Sequence, residues 1–362
     1  MFEQGVNVNS NFIKTLIVAT VVNSWAVPVF SQQTDNINIG FSEHYKEAIP
    51  LERVAPKYPS RMALENREGW VDMTFMVDVT GETYEIGVED HSHGGEDFVD
   101  AVRKSIEKYK FSPATQNGEP VDSSQSIRIF FNMEGDAPGV SIRFKKHYTN
   151  FQKAIAEKNI QEAEDELSSL RNSKGMSLYD DAFLNLASFM YEKEFGTPEN
   201  QLKYLSKIFS NVSSRYFDDN LYTSLLTTVF GLEVKQMHLD QALETYKRLS
   251  RRKNTKELLT KLDGTVEQIK AMKYDDTSYP VKGQIDESGY WDFVLYKNAF
   301  KFDNIKGELN EFKLRCSTKY LFLAYEQDKV YEIPKDYGRC FLSVYGKADT
   351  SFNLVQQASS IE

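Results

Sequence analysis

The chain has 362 residues, 41% hydrophobic and 13% aromatic, which is material for two or three domains with proper cores. Its net charge is -10, so it gains nothing from counterion release on DNA or RNA, and an anionic membrane surface repels it. Nucleic acid is not an expected partner.

The first feature in chain order is NFIKTLIVATVVNSWAVPVFS, from Asn11 to Ser31. Lys14 is a thin positive n-region and Leu16 to Val22 an apolar h-region. Val29-Phe30-Ser31 puts a small residue before Gln32, the pattern of a cleaved secretory signal. The alternative is an uncleaved anchor, since Phe12 to Phe30 is about long enough to cross a bilayer. Asn23, Ser24 and Pro28 interrupt it and favour cleavage. Residues 1–31 are thus expected to be a signal peptide or anchor, and the remainder to be periplasmic.

A second segment, 42–134, shows a period of two. Val71, Met73, Phe75, Val77 and Val79 alternate with Asp72, Thr74, Met76 and Asp78, which predicts a half-buried strand. Gly81 is the residue able to take positive φ in the turn, and Tyr84, Ile86 and Val88 return. Phe98, Ala101, Val102, Ser105, Ile106 and Tyr109 then mark one helix face, with Asp97 as N-cap and Ser112-Pro113 as the end. Asn117-Gly118 turns the chain into a last strand, Ile127 to Met133. The expectation is a small antiparallel sheet with a helix on one face.

After the break EGDAPGV at Glu134 to Val140, residues 141–273 read as helical. FQKAIAEKNIQEAEDELSSL is expected to be two helices around Lys158-Asn159, with Ala154, Ala163 and Leu167 packing. QMHLDQALETYKRL repeats the form with Ala242 and Tyr246, and PENQLKYLSKI, Pro198 to Ile208, is a third copy. The run resembles degenerate tetratricopeptide-type helix pairs. From 279 to 358, YWDFVLY, GELNEFKLRCS, YLFLAY, KVYEIP, RCFLSVYG and SFNLVQQ are short strands between turns, which suggests a β-sandwich. Cys316 and Cys340 are the whole cysteine complement. In an oxidising compartment they are expected to be bonded, adding about 3 kcal/mol. The fold class is α+β, multidomain.

Chemistry-bearing motifs are scarce. His91-Ser92-His93, with Asp90 or Glu96, is a weak metal candidate and reads better as a polar loop. There is no G-x-S-x-G, no H-E-x-x-H and no phosphate loop, and neither a cofactor nor an enzymatic activity is expected. What remains is a sheet with an unpaired edge, which offers main-chain donors and acceptors to an extended peptide.

Pro56 to Met133 resembles the C-terminal domain of the TonB family of periplasmic energy transducers. The resemblance rests on Tyr58-Pro59, Glu68-Gly69, Val77-Asp78, Gly81, Tyr109-Lys110-Phe111-Ser112-Pro113 and the strand Ile127 to Met133. It implies binding of the TonB box, an extended segment of outer-membrane receptors, by strand addition at the last strand. The implied contacts are Ser126, Ile127, Arg128, Ile129, Phe130, Phe131 and Asn132, mostly through backbone, with Lys57, Tyr58, Pro59 and Arg61 nearby. Family transducers also carry an inner-membrane helix with a histidine that couples to the ExbB–ExbD motor, and a long linker. Phe12 to Phe30 has no histidine, and about 25 residues separate Ser31 from Pro56, which reach at most about 80–90 Å. The leading expectation is therefore an exported, non-enzymatic module that captures an extended peptide or envelope protein. The alternatives are an anchored transducer working with ExbB–ExbD, and an envelope scaffold whose edge is covered from within.

Overall fold

The computed structural model describes residues 45–133, 140–210 and 216–359. The signal or anchor expected within 1–31, and the break at 134–139, lie outside them. Among the described residues, no helix is long and apolar enough to cross a membrane.

The first unit contains β1 (Tyr45–Lys46), β2 (Ile49–Glu52), α1 (Ser60–Leu64), β3 (Gly69–Val77), β4 (Thr83–His91) and α2 (Glu96–Ile106). It closes with β5 (Lys110–Ser112), β6 (Ala114–Gln116), β7 (Glu119–Val121) and β8 (Ser123–Phe131). The main sheet is antiparallel in the order β4-β3-β8. The β3–β4 turn forms because the Asp78 carboxylate accepts from the amides of Thr80 and Glu82 at 2.8 and 3.0 Å. Gly81 has φ 87, and a Cβ there would lie 1.9 Å from the Phe111 carbonyl oxygen. The β6–β7 turn uses Asn117 and Gly118, both at positive φ, as its sequence predicts. Phe98, Val102 and Ile106 of α2 are fully buried against Val71, Met73 and Phe75 of β3.

Three local expectations change. The N-cap of α2 is Gly95, not Asp97, which lies in the first turn; there a carboxylate favours the helix dipole without capping it. The helix ends at Ile106 rather than at Ser112-Pro113. Tyr109 and Phe111 instead pack on Phe75, with centroids 6.3 and 5.8 Å away, and the chain is already in β5. Finally, β3 is buried on both faces, not half-buried, because the rest of the chain packs over its second face.

The helical region pairs successive antiparallel helices: α3 (Ile142–Ala156) with α4 (Ile160–Arg171), α5 (Leu178–Phe195) with α6 (Pro198–Ser210), and α7 (Asp219–Lys235) with α8 (Leu239–Ser250). Helix α9 (Lys256–Met272) follows α8. Lys158 at φ 54 closes α3, and Asn159 caps α4 by accepting from the Glu162 amide. Ala154, Ala163, Leu167 and Ala242 are buried. Helix α5 is buried on nearly every face from Leu178 to Met190, so it is the central helix.

The last region is two four-stranded antiparallel sheets. One orders β10 (Tyr290–Val294), β15 (Cys340–Gly346), β12 (Leu309–Cys316) and β13 (Tyr320–Ala324). The other orders β14 (Tyr331–Glu332), β11 (Ala299–Lys306), β16 (Ser351–Gln357) and β9 (Tyr279–Gln284). They meet through Phe300, Phe302 and Phe312, whose centroids lie 5.6 to 5.7 Å apart. A disulfide joins Cys316 to Cys340, which lie opposite each other in β12 and β15. Strands β9 and β11 carry no clear period-two signal in the sequence. Pro280 interrupts the first and is tolerated because β9 is an edge; a register shift after Asp303 breaks the alternation of the second. The helices and the sandwich share one apolar cluster.

Within that cluster, Glu233 of α7 is 7% exposed and its Oε2 has no partner among the described residues. Loss of water pushes its carboxyl up to about 8, so it stays protonated at neutral pH. Burial likewise pushes the neighbouring His238 down to about 4, so it stays neutral. For Glu233 the folded state holds a proton that the unfolded state has lost, so stability falls as pH rises from about 4.5 to 8. For His238 the unfolded state takes the proton first, so stability falls as pH drops from about 6.5 to 4. The two slopes oppose below pH 6.5, and only that of Glu233 remains above it. Between pH 6.5 and 8, urea denaturation should show the wild type losing about 2 kcal/mol more than Glu233→Gln; parallel curves would contradict this assignment.

Candidate functional site

The β4-β3-β8 sheet has two outer edges, and the chain treats them differently. Along β4 three carbonyls accept from cations. Ile86 O accepts from Arg103 at 2.7 Å, Glu85 O from Arg315 at 2.8 Å and His91 O from Lys207 at 3.2 Å. Register shifts on β4, opposite Asp72–Met73 and Thr74–Met76, add bulges. Bulges and charges are the usual means of blunting an edge.

The β8 edge is more open. Trp70 O accepts from the Ser92 amide, so the even positions of β3 bond towards β4 and the odd ones towards β8. Val71 stands opposite Ile129 and Met73 opposite Ile127; the odd residues of β8 therefore bond inward. Ser124, Ser126, Arg128 and Phe130 turn their N–H and C=O groups outward. The Ser124 amide confirms this parity by donating outward to Ser317 O at 2.9 Å. For the amides of Ser126, Arg128 and Phe130, no protein partner occurs among the described residues.

Side chains alternate in step with the backbone. Phe131 is buried in the α2-facing core, with Ile127 and Ile129 packed partly against it. On the second face Arg128 makes a two-pronged ion pair with Asp72, at 2.5 and 2.6 Å. Burial pulls the Arg128 guanidinium down, but the bonds and charge of Asp72 prevail and hold it above the ordinary arginine value. Glu89 faces the same pair, and lost hydration followed by the charge of Asp72 raises its carboxyl.

The residues expected near this strand are only partly brought together. Tyr58 reaches its end, with its ring 5.6 Å from both Phe98 and Phe131. Its hydroxyl donates to Arg67 O at 2.6 Å, and lost hydration, then the Glu68 charge, pushes it up to about 12. Pro59 caps the short helix α1 without a side-chain bond. Arg61 is exposed and pairs with Asp97 at 2.7 Å. Lys57 and Asn132 are exposed. His91 and His93 do not converge on a ligand set: the His91 ring contacts Ser92 O at 2.9 Å, and the His93 amide donates to Asp181.

Sequence reasoning missed what covers the second face. Trp70 Nε1 donates to Asp181 Oδ2 at 2.8 Å, and Lys207 pairs with Asp90. Glu68 accepts from the amides of Met133 and Leu178 at 2.8 and 3.0 Å. At the other end Tyr320 donates to Glu85 at 2.9 Å. The only sequence signal was the apolar-polar mixture Trp70, Asp72, Met76 on the face that alternation assigned to solvent.

Residues 54–133 match the family model described as Gram-negative bacterial TonB protein C-terminal, which bears out the resemblance for that stretch. No curated protein matches the chain. Among solved structures, the chain is similar to the solution NMR structure of the Pseudomonas aeruginosa TonB C-terminal domain. That match has 24% identity and a TM-score of 0.22 over 26% of this chain and 93% of that one. It is also similar to the TonB2 protein from Vibrio anguillarum, with 28% identity and a TM-score of 0.20 over 30% of this chain and 100% of that one.

Because Arg128 neutralises an Asp72 side chain that is 9% exposed, Arg128→Ala leaves a nearly buried carboxylate beside Glu89. It should cost about 1–3 kcal/mol in urea denaturation. Asp72→Asn in the same background should recover part of that loss. An unchanged midpoint in the single variant would show that the pair is not formed in solution.

Proposed function

We propose that this chain is an envelope-facing binding protein. Its residues 54–133 capture an extended segment of an outer-membrane receptor by strand addition at the outer edge of β8. The observation that carries this is the asymmetry of the sheet: cations occupy the Glu85, Ile86 and His91 carbonyls of the bulged β4 edge, while Ser126, Arg128 and Phe130 of the unbulged β8 present outward groups with no protein partner among the described residues. Three outward residues offer up to about six main-chain bonds, each worth about 0.5–1.5 kcal/mol net. After the cost of association this supports micromolar or weaker binding, the range for reversible capture. The family match supports the same reading and a periplasmic setting. The working groups are main-chain ones on a prebuilt edge, so the mechanism is binding without a chemical step.

Ser126 is the position to test, since its side chain is exposed and its amide makes no ladder bond. Ser126→Pro removes the outward donor and keeps the β3 pairing; Ser126→Ala changes only the side chain. Titrating a panel of synthetic TonB-box peptides by calorimetry should give affinity near wild type for Ser126→Ala and a loss of about 2- to 12-fold for Ser126→Pro. Equal binding by the two variants, or no binding by any panel member, would overturn strand capture.

A further inference from the structure

We infer that the β12–β13 turn of the C-terminal sandwich, at Ser317, is a built-in stop on the β8 edge. The partner that fits is therefore a short extended segment of about five residues, lying between Ser126 and Phe130. This deepens the strand-capture reading and rests on it for the identity of the partner.

The stop is a main-chain contact made where a guest would otherwise bind. Ser317 O takes the outward amide of Ser124 at 2.9 Å, the same donor that an added strand would use. Of the four outward positions on β8, the first is thus already filled. The remaining three span five residues, about 16 Å of strand. A guest running past Ser126 meets Ser317 in place of an open donor.

Several restraints hold Ser317 there. The residue before it, Cys316, is bonded to Cys340. Ser317 Oγ accepts from the Arg339 amide at 3.1 Å, and Arg339 pairs with Asp240 of α8 at 2.6 Å. On the same hairpin Arg315 donates to Glu85 O at 2.8 Å, and Tyr320 donates to the Glu85 carboxylate at 2.9 Å. The Tyr320 ring meets Tyr84 edge to face at 6.4 Å. Gly87 leaves room for Arg315 over the sheet; a Cβ there would lie 3.2 Å from its Nη2. The sandwich thus grips β4 with two side chains and places a carbonyl on β8. A guest that displaced Ser317 would gain the bonds of one outward residue and lose the Ser124 bond and the grip on Glu85. Displacement is therefore unfavourable, and the guest's length is set by Ser317 at one end and by the end of β8 at Phe131 at the other.

Amide exchange in the full, unliganded chain reads the stop without any peptide. The Ser124 amide should exchange at least about 10-fold more slowly than those of Ser126, Arg128 and Phe130, and Arg315→Ala/Tyr320→Phe should reduce that difference. Equal exchange of Ser124 and Ser126 in the wild type would overturn the stop. TonB-box peptides of five, seven and nine residues then read its consequence. Wild-type affinity should level off at five residues, whereas the double variant should gain about 3- to 10-fold from the longer peptides. A steady rise through nine residues in the wild type would overturn it. Ser124→Pro, which removes the capped amide and no ladder bond, should leave five-residue binding within about twofold; a tenfold loss would mean that the guest uses Ser124 and would also overturn it. If no peptide slows exchange at Ser126, Arg128 and Phe130, strand capture falls, and the Ser124 exchange rate still decides whether the edge is capped.

Discussion

The arrangement depends on the burial of β3 from both sides. A strand covered on one face can end its polar side chains in water; one covered on both must satisfy them internally. Asp72 does so through Arg128, and the Trp70 indole does so through Asp181. Asp181 is 1% exposed and also accepts from the His93 amide at 3.1 Å. One carboxylate of the central helix α5 thus ties together the start of β3 and the end of β4. Glu68 repeats the device two residues earlier, bonding Met133 after β8 and Leu178 at the start of α5. These contacts join a sheet with its own core to helices with another, and they fix where the sandwich can meet the sheet.

That constraint accounts for the difference between the edges. With the helices over the Trp70 end of the second face and the sandwich over the Tyr84 end, β4 lies within reach of Lys207 from one and Arg315 from the other. Strand β8 lies on the far side of β3, and the Ser317 turn extends to its outer edge. An exposed edge is a hazard for uncontrolled pairing. Shortening it to three outward residues limits that hazard.

Much of the first unit was legible in the sequence because its signals are local. Gly81 and Asn117-Gly118 occupy turns whose φ values few other residues adopt, and the alternation Ile127, Ile129, Phe131 gives the correct face of β8. The helix pairs were legible for the same reason, since Lys158-Asn159 is at once a stop and a cap. The burial of β3 on its second face was not legible. Asp72 and Trp70 look like solvent-side residues until their partners are known, and Arg128 and Asp181 lie far from them along the chain. The Tyr109-Lys110-Phe111-Ser112-Pro113 motif was recognised, but its structure was not. Its aromatic spacing suits one more helical turn as well as it suits β5, and contact with Phe75 decides between them.

The candidate site divides along the same line. Which residues of β8 face the core follows from period two, and so does which backbone groups face outward once one bond fixes the parity. How much of the edge is available follows from Ser317, a residue with no motif around it. Its role comes from being next to Cys316, opposite Arg339 and at the end of a strand that the Glu85 grip aligns with the sheet. A domain of residues 54–133 alone would expose the whole of β8. The same sequence within this chain exposes three positions, because the C-terminal sandwich supplies one main-chain acceptor at the edge. The C-terminal sandwich therefore alters which edge groups residues 54–133 present without changing a residue within them.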